Sequence, residues 1–133
     1  MDTEIRRLCD LVRVCGYEAH RYLRHGHLEK IYENSLANRL RKLGVKVEAQ
    51  VPLDVWDEDG THLGHFLADL VIEDKIIVEI KACRSTNDDH VSQLLGYLRS
   101  SRIEHGLLVN FGARRFFIKK YILTDADADE DLA

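Results

Sequence analysis

Phe66-Leu67-Ala68-Asp69-Leu70-Val71-Ile72, then Glu73-Asp74-Lys75, then Ile76-Ile77-Val78-Glu79-Ile80-Lys81-Ala82 is the stretch whose reading decides the fold. Two aliphatic runs broken by a charged triplet predict two strands and a tight connection. The second run is aliphatic on both sides of its alternation, so it belongs at the centre of a sheet with both faces covered. Glu79 and Lys81 are two apart and share a face. Charges on a covered face are costly unless they meet each other, an ion or a function. Asp69 joins that face only if Ile72 pairs with Ile76, which leaves Glu73-Asp74-Lys75 as a three-residue hairpin loop. A two-residue loop at Asp74-Lys75 would place Asp69 opposite Ile80 and separate the acids.

Working towards the N-terminus, Val45, Val47, Ala49, Val51, Leu53 and Val55 alternate with polar residues and predict a long strand to Trp56. Pro52 cannot donate to a ladder, so that strand is expected at an edge. Before it, Ile5, Leu8, Leu11, Val12, Cys15 and Ala19 recur at helical spacing. A break is expected at His25-Gly26-His27, then a second helix with Leu28, Ile31, Tyr32, Leu36, Leu40 and Leu43 as its stripe and Gly44 at its end. Towards the C-terminus, 88–101 reads as a helix, Gly106-Leu107-Leu108-Val109 as a buried strand, and the run from Phe116 to Leu123 as a last strand. A strand–helix–strand unit from Ile76 to Val109 predicts a parallel crossover. The expected fold is α/β, a mixed sheet flanked by helices.

The chain has 133 residues, of which 45% are hydrophobic and 32% charged. That composition predicts one soluble globular domain over residues 1–123. No apolar run approaches the roughly 20 residues of a membrane span. Three cysteines, Cys9, Cys15 and Cys83, without a C-x-x-C pair argue against a disulfide framework and make the cytoplasm the expected compartment. The net charge of −4 hides an asymmetry: Asp125, Asp127, Asp129, Glu130 and Asp131 lie in an acidic tail, residues 124–133, expected to be disordered. Setting those five acids aside leaves 19 bases against 18 acids. The bases cluster at Arg6, Arg7, Arg13, Arg21 and Arg24, at Arg39, Arg41, Lys42 and Lys46, and at Arg114, Arg115, Lys119 and Lys120. Such clusters read either as solvated faces or as phosphate contacts. The last group is the candidate nucleic-acid contact.

Asp69, Glu79 and Lys81 can be read as a buried ion pair with an incidental acid. Buried pairs often add no net stability, which weakens that account. They can equally be read as a hard-cation site, since magnesium takes one or two carboxylates plus waters and phosphate oxygens. Glu29 lies on the flank of the second helix's stripe; on spacing alone it is an acid favoured by the helix dipole. His20, His25 and His27 read as solvated polar residues. His90, at a helix start near the end of the Glu79–Lys81 strand, is the histidine to watch.

These residues carry a resemblance. Asp69 followed by Glu79-Ile80-Lys81 resembles the D…(D/E)-x-K signature of the PD-(D/E)XK nuclease superfamily. Gly26-His27-Leu28-Glu29-Lys30-Ile31-Tyr32 matches G-x-x-E-x-x-Y, the motif that names one bacterial family of that superfamily. Gln93-Leu94-Leu95-Gly96-Tyr97 is similar to the Q-x-x-x-Y helix motif of its recombination-type nucleases. Gly106-Leu107-Leu108-Val109-Asn110-Phe111-Gly112 is similar to the G-L-L-(I/V)-N-F-G strand of the GxxExxY family. The resemblance covers roughly residues 5 to 123, and Ala68 stands where the signature has proline.

The resemblance implies a restriction-endonuclease-like core, α-β-β-β-α-β, with an extra N-terminal helix and a C-terminal strand. It implies Asp69, Glu79 and the Ile80 carbonyl as metal ligands, Glu29 as the helix-borne acid completing the site, and Lys81 as the catalytic lysine. Gln93 and Tyr97 would orient the site. The expected cofactor is Mg2+, with Mn2+ as the alternative. The expected partner is nucleic acid, DNA over RNA, with no membrane, and a homodimer is the expected assembly. The leading function is a magnesium-dependent nuclease of repair, recombination or defence type. The alternative is a nucleic-acid-binding or regulatory module with a retained but unused site.

Overall fold

The computed structural model describes residues 2–123. The acidic tail, 124–133, lies outside them. The element order is α1 (Thr3–Leu23), α2 (Glu29–Lys42), β1 (Val47–Trp56), β2 (His62–Ile72), β3 (Ile76–Lys81), α3 (Asp88–Ser101), β4 (His105–Asn110) and β5 (Phe117–Ile122). The strands form one sheet in the order β1-β2-β3-β4-β5. The β3–β4 pair is parallel and the other three are antiparallel. This is the α/β, restriction-endonuclease-like core, and β1 with its Pro52 is an edge strand.

The decisive hairpin closes through Ile72↔Ile76 and Leu70↔Val78. Glu73 and Asp74 take left-handed backbone angles, φ +50° and +58°, and Lys75 N–H donates to the Ile72 carbonyl at 2.9 Å. The loop is therefore the three-residue one. Asp69 falls opposite Glu79, one step beyond the last paired position.

The sheet splits the core in two. Leu70, Ile72, Ile76, Val78, Ile80, Leu107 and Val109 pack under α1 and α2. Ala68, Val71, Ile77 and Leu108 meet Leu94 and Leu98 of α3. At Gly106 a Cβ would lie 2.9 Å from Leu94 Cδ1, so the missing side chain lets the Leu94 and Leu98 tips of α3 rest directly on β4. α3 itself starts on a reciprocal cap: the Asn87 side chain accepts from His90 N–H, and the His90 ring receives the Asn87 N–H.

Two expectations need correction. Leu28, Ile31 and Leu43, expected in the α2 stripe, are exposed; Tyr32, Glu33, Leu36, Ala37 and Leu40 are the buried face. The helix is rotated because Tyr32, with both a large ring and a hydroxyl, is drawn inward: it stacks on Phe111 with centroids 4.7 Å apart. Its hydroxyl donates to the Arg24 carbonyl at 2.5 Å and accepts from His27 N–H at 3.1 Å. That ring thus staples the α1–α2 connector. The second correction is His20, which is buried rather than solvated, its Nε2 2.8 Å from the Ala113 carbonyl oxygen.

Candidate active site

β2 and β3 part after Leu70↔Val78, and the opening is bridged by a side chain. The Asp69 carboxylate accepts the Ile80 N–H at 2.8 Å, where another strand would have offered a carbonyl. In a strand the N–H and C=O of one residue point to the same side, so the Ile80 carbonyl faces this opening as well. Glu79 is 4% exposed, and its Oε1 is buried with no hydrogen-bond partner. Burial pushes its carboxyl pKa up to about 9, with the adjacent Asp69 charge and carboxyl contact adding to the effect and Lys81 opposing it.

Lys81, on the same face, does not pair with Glu79. Its ammonium donates to the Gln93 Oε1 of α3 at 3.0 Å. Tyr97, one turn further along α3, lies flat on Phe66 with centroids 3.8 Å apart. Burial holds its hydroxyl above the usual range, and the charges of Glu79 and Asp69 push in the same direction. The hydroxyl therefore stands within the field of the acid pair.

Glu29 opens α2 over the same gap. Lost hydration raises its carboxyl pKa; Lys81 and His90 pull it down, while Asp69 and Glu33 push it up. Glu29 is exposed, and it is joined to the cluster through those charges. The structure thus brings Asp69, Glu79, Ile80, Lys81 and Gln93 to one opening, with Glu29 and Tyr97 within the field of the same acids. His90, held in the α3 cap, is linked to the opening only through its charge effect on Glu29.

Two participants were missed. Glu33, one turn after Glu29, is 3% exposed and receives Lys30 Nζ at 2.5 Å and Gln50 Nε2 at 2.6 Å. Gln50 sits between the Ala49↔Leu70 and Val51↔Ala68 pairs with φ +52°, facing Asp69 across the strands. Its Nε2 also lies 3.4 Å from Asp69 Oδ1. Gln50 therefore links the helix acids to the sheet acids. The i, i+4 spacing of Glu29 and Glu33 carried a signal for the first. The regular alternation of β1 concealed the second.

The basic residues behave differently. Arg114 and Arg115 line a cavity under the end of α1. Lys119 and Lys120 sit on successive positions of β5 and point to opposite faces. Lys120 turns under α1, with Nζ 2.7 Å from His105 Nδ1. Lys119 lies 5.3 Å from the Tyr121 ring centroid. The four do not form one patch.

The Asn110-Phe111-Gly112 turn holds the far end of β3. Asn110 Oδ1 accepts from Cys83 N–H at 3.1 Å and Gly112 N–H at 3.0 Å, and its Nδ2 donates to the Cys83 carbonyl at 2.9 Å. Phe111 N–H donates to the Lys81 carbonyl at 2.9 Å. A Cβ on Gly112 would overlap the Cys83 amide nitrogen and the Ala82 carbonyl carbon.

The donor set fits a hard divalent cation. Two adjacent carboxylates, one with an orphaned oxygen, gain most from a cation between them. Among the described residues no group of three or more acid, histidine or cysteine side chains is arranged to hold a metal ion. An ion that keeps several waters does not need one.

The family profile described as PD-(D/E)XK nuclease superfamily matches residues 6–121. The chain belongs to that superfamily. The matched span includes the opening between β2 and β3. Among solved structures, SSO0001 is similar at 21% identity and a TM-score of 0.53, over 77% of this chain and 56% of that one. An alkaline exonuclease (LHK-Exo) from Laribacter hongkongensis is similar at 13% identity and a TM-score of 0.53, over 76% and 59%. The chain thus spans under two thirds of both, and at these identities the likeness is one of fold. A comparison with curated proteins gives no match. Among the described residues no helix is long and apolar enough to cross a membrane.

Proposed function

We propose that this PD-(D/E)XK superfamily member is a nuclease of the GxxExxY type that hydrolyses phosphodiester bonds in nucleic acid, DNA in the first place, with Mg2+ as cofactor. The observation that carries the reading is the orphaned, buried Glu79 Oε1 beside Asp69. Asp69, Glu79 and the Ile80 carbonyl would hold the ion, with Glu29 closing the site from α2. Bound there, the ion supplies charge neutralisation at the phosphate and a water of lowered pKa.

The remaining chemistry belongs to the chain. The Asp69 carboxylate is kept in line by the Ile80 N–H, so one of its oxygens stays turned into the opening. Gln93 holds the Lys81 ammonium clear of Glu79. From there Lys81 can donate to the attacking water or to the phosphate oxyanion as charge builds in the transition state. Tyr97, stacked and close to the acids, orients the strand or the site water through its hydroxyl.

Purified protein incubated with single-stranded, duplex and branched DNA and RNA, in magnesium, manganese or EDTA, tests the proposal. Cleavage in magnesium that is lost both in EDTA and in Glu79→Gln supports it. Binding without cleavage under any metal would support the alternative of a retained but unused site.

A further inference from the structure

Away from the acids, a cavity of about 350 Å3 is lined by Tyr17, His20, Arg21, Arg24, Arg114, Arg115 and Phe116. Four arginines are among its lining residues and no carboxylate is. Among the described residues none of the four is in an ion pair. The C-terminal end of α1 favours basic side chains in its last turn, which accounts for Arg21 and Arg24 but not for Arg114 and Arg115.

The cavity is built rather than incidental. His20, 7% exposed, ties α1 to the Ala113 carbonyl and so fixes the Arg114-Arg115 turn against Arg21 and Arg24. Phe116 approaches α1 at Gly16, where a Cβ would stand 2.6 Å from its ring. Tyr17, at 54% exposure, offers an open aromatic face at the mouth. All four arginines are solvent-exposed, so each is hydrated, and a phosphate that meets several of them at once gains from their combined positive field.

We infer that this cavity is a second nucleic-acid subsite that takes one nucleotide of a single strand, its phosphate on the guanidinium groups and its base on Tyr17. The inference rests on the nuclease reading for its ligand class. Planar guanidinium forks match phosphate oxygens two at a time. An exposed aromatic beside them is the stacking element of single-strand sites. A concave cavity of this size suits one nucleotide better than a lipid surface. The link to the acids runs through Tyr32, whose hydroxyl holds the Arg24 carbonyl while Glu29 and Glu33 flank it on α2. A strand seated at Arg24 therefore leaves the cavity over a connector fixed to the site.

The test measures binding in EDTA by the full chain carrying Glu79→Gln, using a labelled single-stranded oligonucleotide over a range of salt. Adding Arg24→Gln and Arg114→Gln should weaken binding and lower the slope of log affinity against log salt by about 0.7 for each phosphate no longer neutralised. Tyr17→Leu should weaken binding by roughly 5-fold or more, and the loss should vanish on an abasic strand. Lys75→Gln, at the opposite end of α1 where Lys75 pairs with Glu4, should change neither, and matched melting temperatures check that every variant folds. Unchanged affinity and slope in the arginine variants would overturn the inference. So would an equal Tyr17 loss on abasic and base-bearing strands, or tighter binding to phosphatidylserine vesicles than to the oligonucleotide. Cleavage by the parent protein in magnesium is scored separately. Its absence sinks the nuclease reading alone, whereas cleavage without this binding pattern sinks the subsite alone.

Discussion

The Lys81 ammonium is hydrogen-bonded to Gln93 at 3.0 Å and forms no ion pair with Glu79, its neighbour two residues back on the same face of β3. A structural Glu79–Lys81 pair would make Glu79→Gln destabilising by roughly 3–5 kcal/mol, because it would strand a buried charge. The observed geometry predicts the opposite. In EDTA, Glu79→Gln removes a carboxyl that has lost its hydration and faces Asp69, so the variant should melt at the same temperature as the parent or higher.

The pH dependence follows with a definite sign. The Glu79 carboxyl titrates near 4.5 when unfolded and at about 9 when folded. Between those values the folded state holds the extra proton, so metal-free stability falls as pH rises through the window. Thermal melts in EDTA from pH 5 to 9 should show a decline that Glu79→Gln flattens. Divalent metal must displace that proton, so the stabilisation given by magnesium should grow with pH. A parent and variant with the same pH slope would contradict this.

Lys81→Ala should keep the metal-dependent rise in melting temperature and lose about 10²–10³-fold in cleavage rate, the scale of one transition-state donor. Gln93→Ala leaves the ammonium in place but unheld. It should cost less, up to about 10²-fold. Single-turnover kinetics on a common substrate separate the two, and a Gln93 loss exceeding the Lys81 loss would show that the glutamine acts by another route.

Much of the site was legible because strand parity is a strict rule. The charged triplet 73–75 between two aliphatic runs left a two-residue and a three-residue loop open, and parity made the three-residue loop the condition for Asp69 to face Glu79, which the Ile72↔Ile76 pairing meets. Parity also separates Lys119 from Lys120, so their grouping with Arg114 and Arg115 reflected nearness in sequence and not in space. The α2 face was less legible. The expected stripe held Tyr32, Leu36 and Leu40 correctly but added Leu28, Ile31 and Leu43, whereas the buried face continues through Glu33 and Ala37 and is anchored by the Tyr32 hydroxyl bonds to the connector. Gln50 was hidden because a left-handed residue inside a regularly alternating strand leaves no trace in hydropathy.

Gln50 supplies a prediction of its own. It donates to the buried Glu33 at 2.6 Å and reaches towards Asp69. Gln50→Ala leaves Glu33 with only Lys30 and should destabilise by roughly 1–3 kcal/mol, the cost of an unmet buried acceptor. Because Asp69 also loses its neighbour, magnesium should bind more weakly, whereas a merely structural role would leave metal titration unchanged. Gln50→Gly removes the same amide but eases the positive φ, so it should be less destabilised than the alanine variant while losing the same metal affinity.

The last prediction concerns the turn that holds β3 from the far side. Gly112 lies against the backbone of Ala82 and Cys83, and its N–H is one of two donors held by the Asn110 side-chain oxygen. Gly112→Ala forces backbone apart rather than a flexible side-chain tip. It should therefore cost at least the upper part of the roughly 1–3 kcal/mol seen for overpacking. Asn110→Ala instead leaves the Cys83 and Gly112 amides and the Cys83 carbonyl without their partner, at roughly 1–3 kcal/mol for each group that stays buried. Both changes act close beyond Lys81, whose carbonyl is bonded to Phe111 N–H in the same turn. Asp69 and Glu79 are anchored separately, through Ile80 N–H and the core. Both variants should thus lower the melting temperature and slow cleavage, while magnesium still raises the melting temperature of whatever remains folded. Loss of the magnesium effect together with stability would mean that this turn sets the acids as well as the lysine.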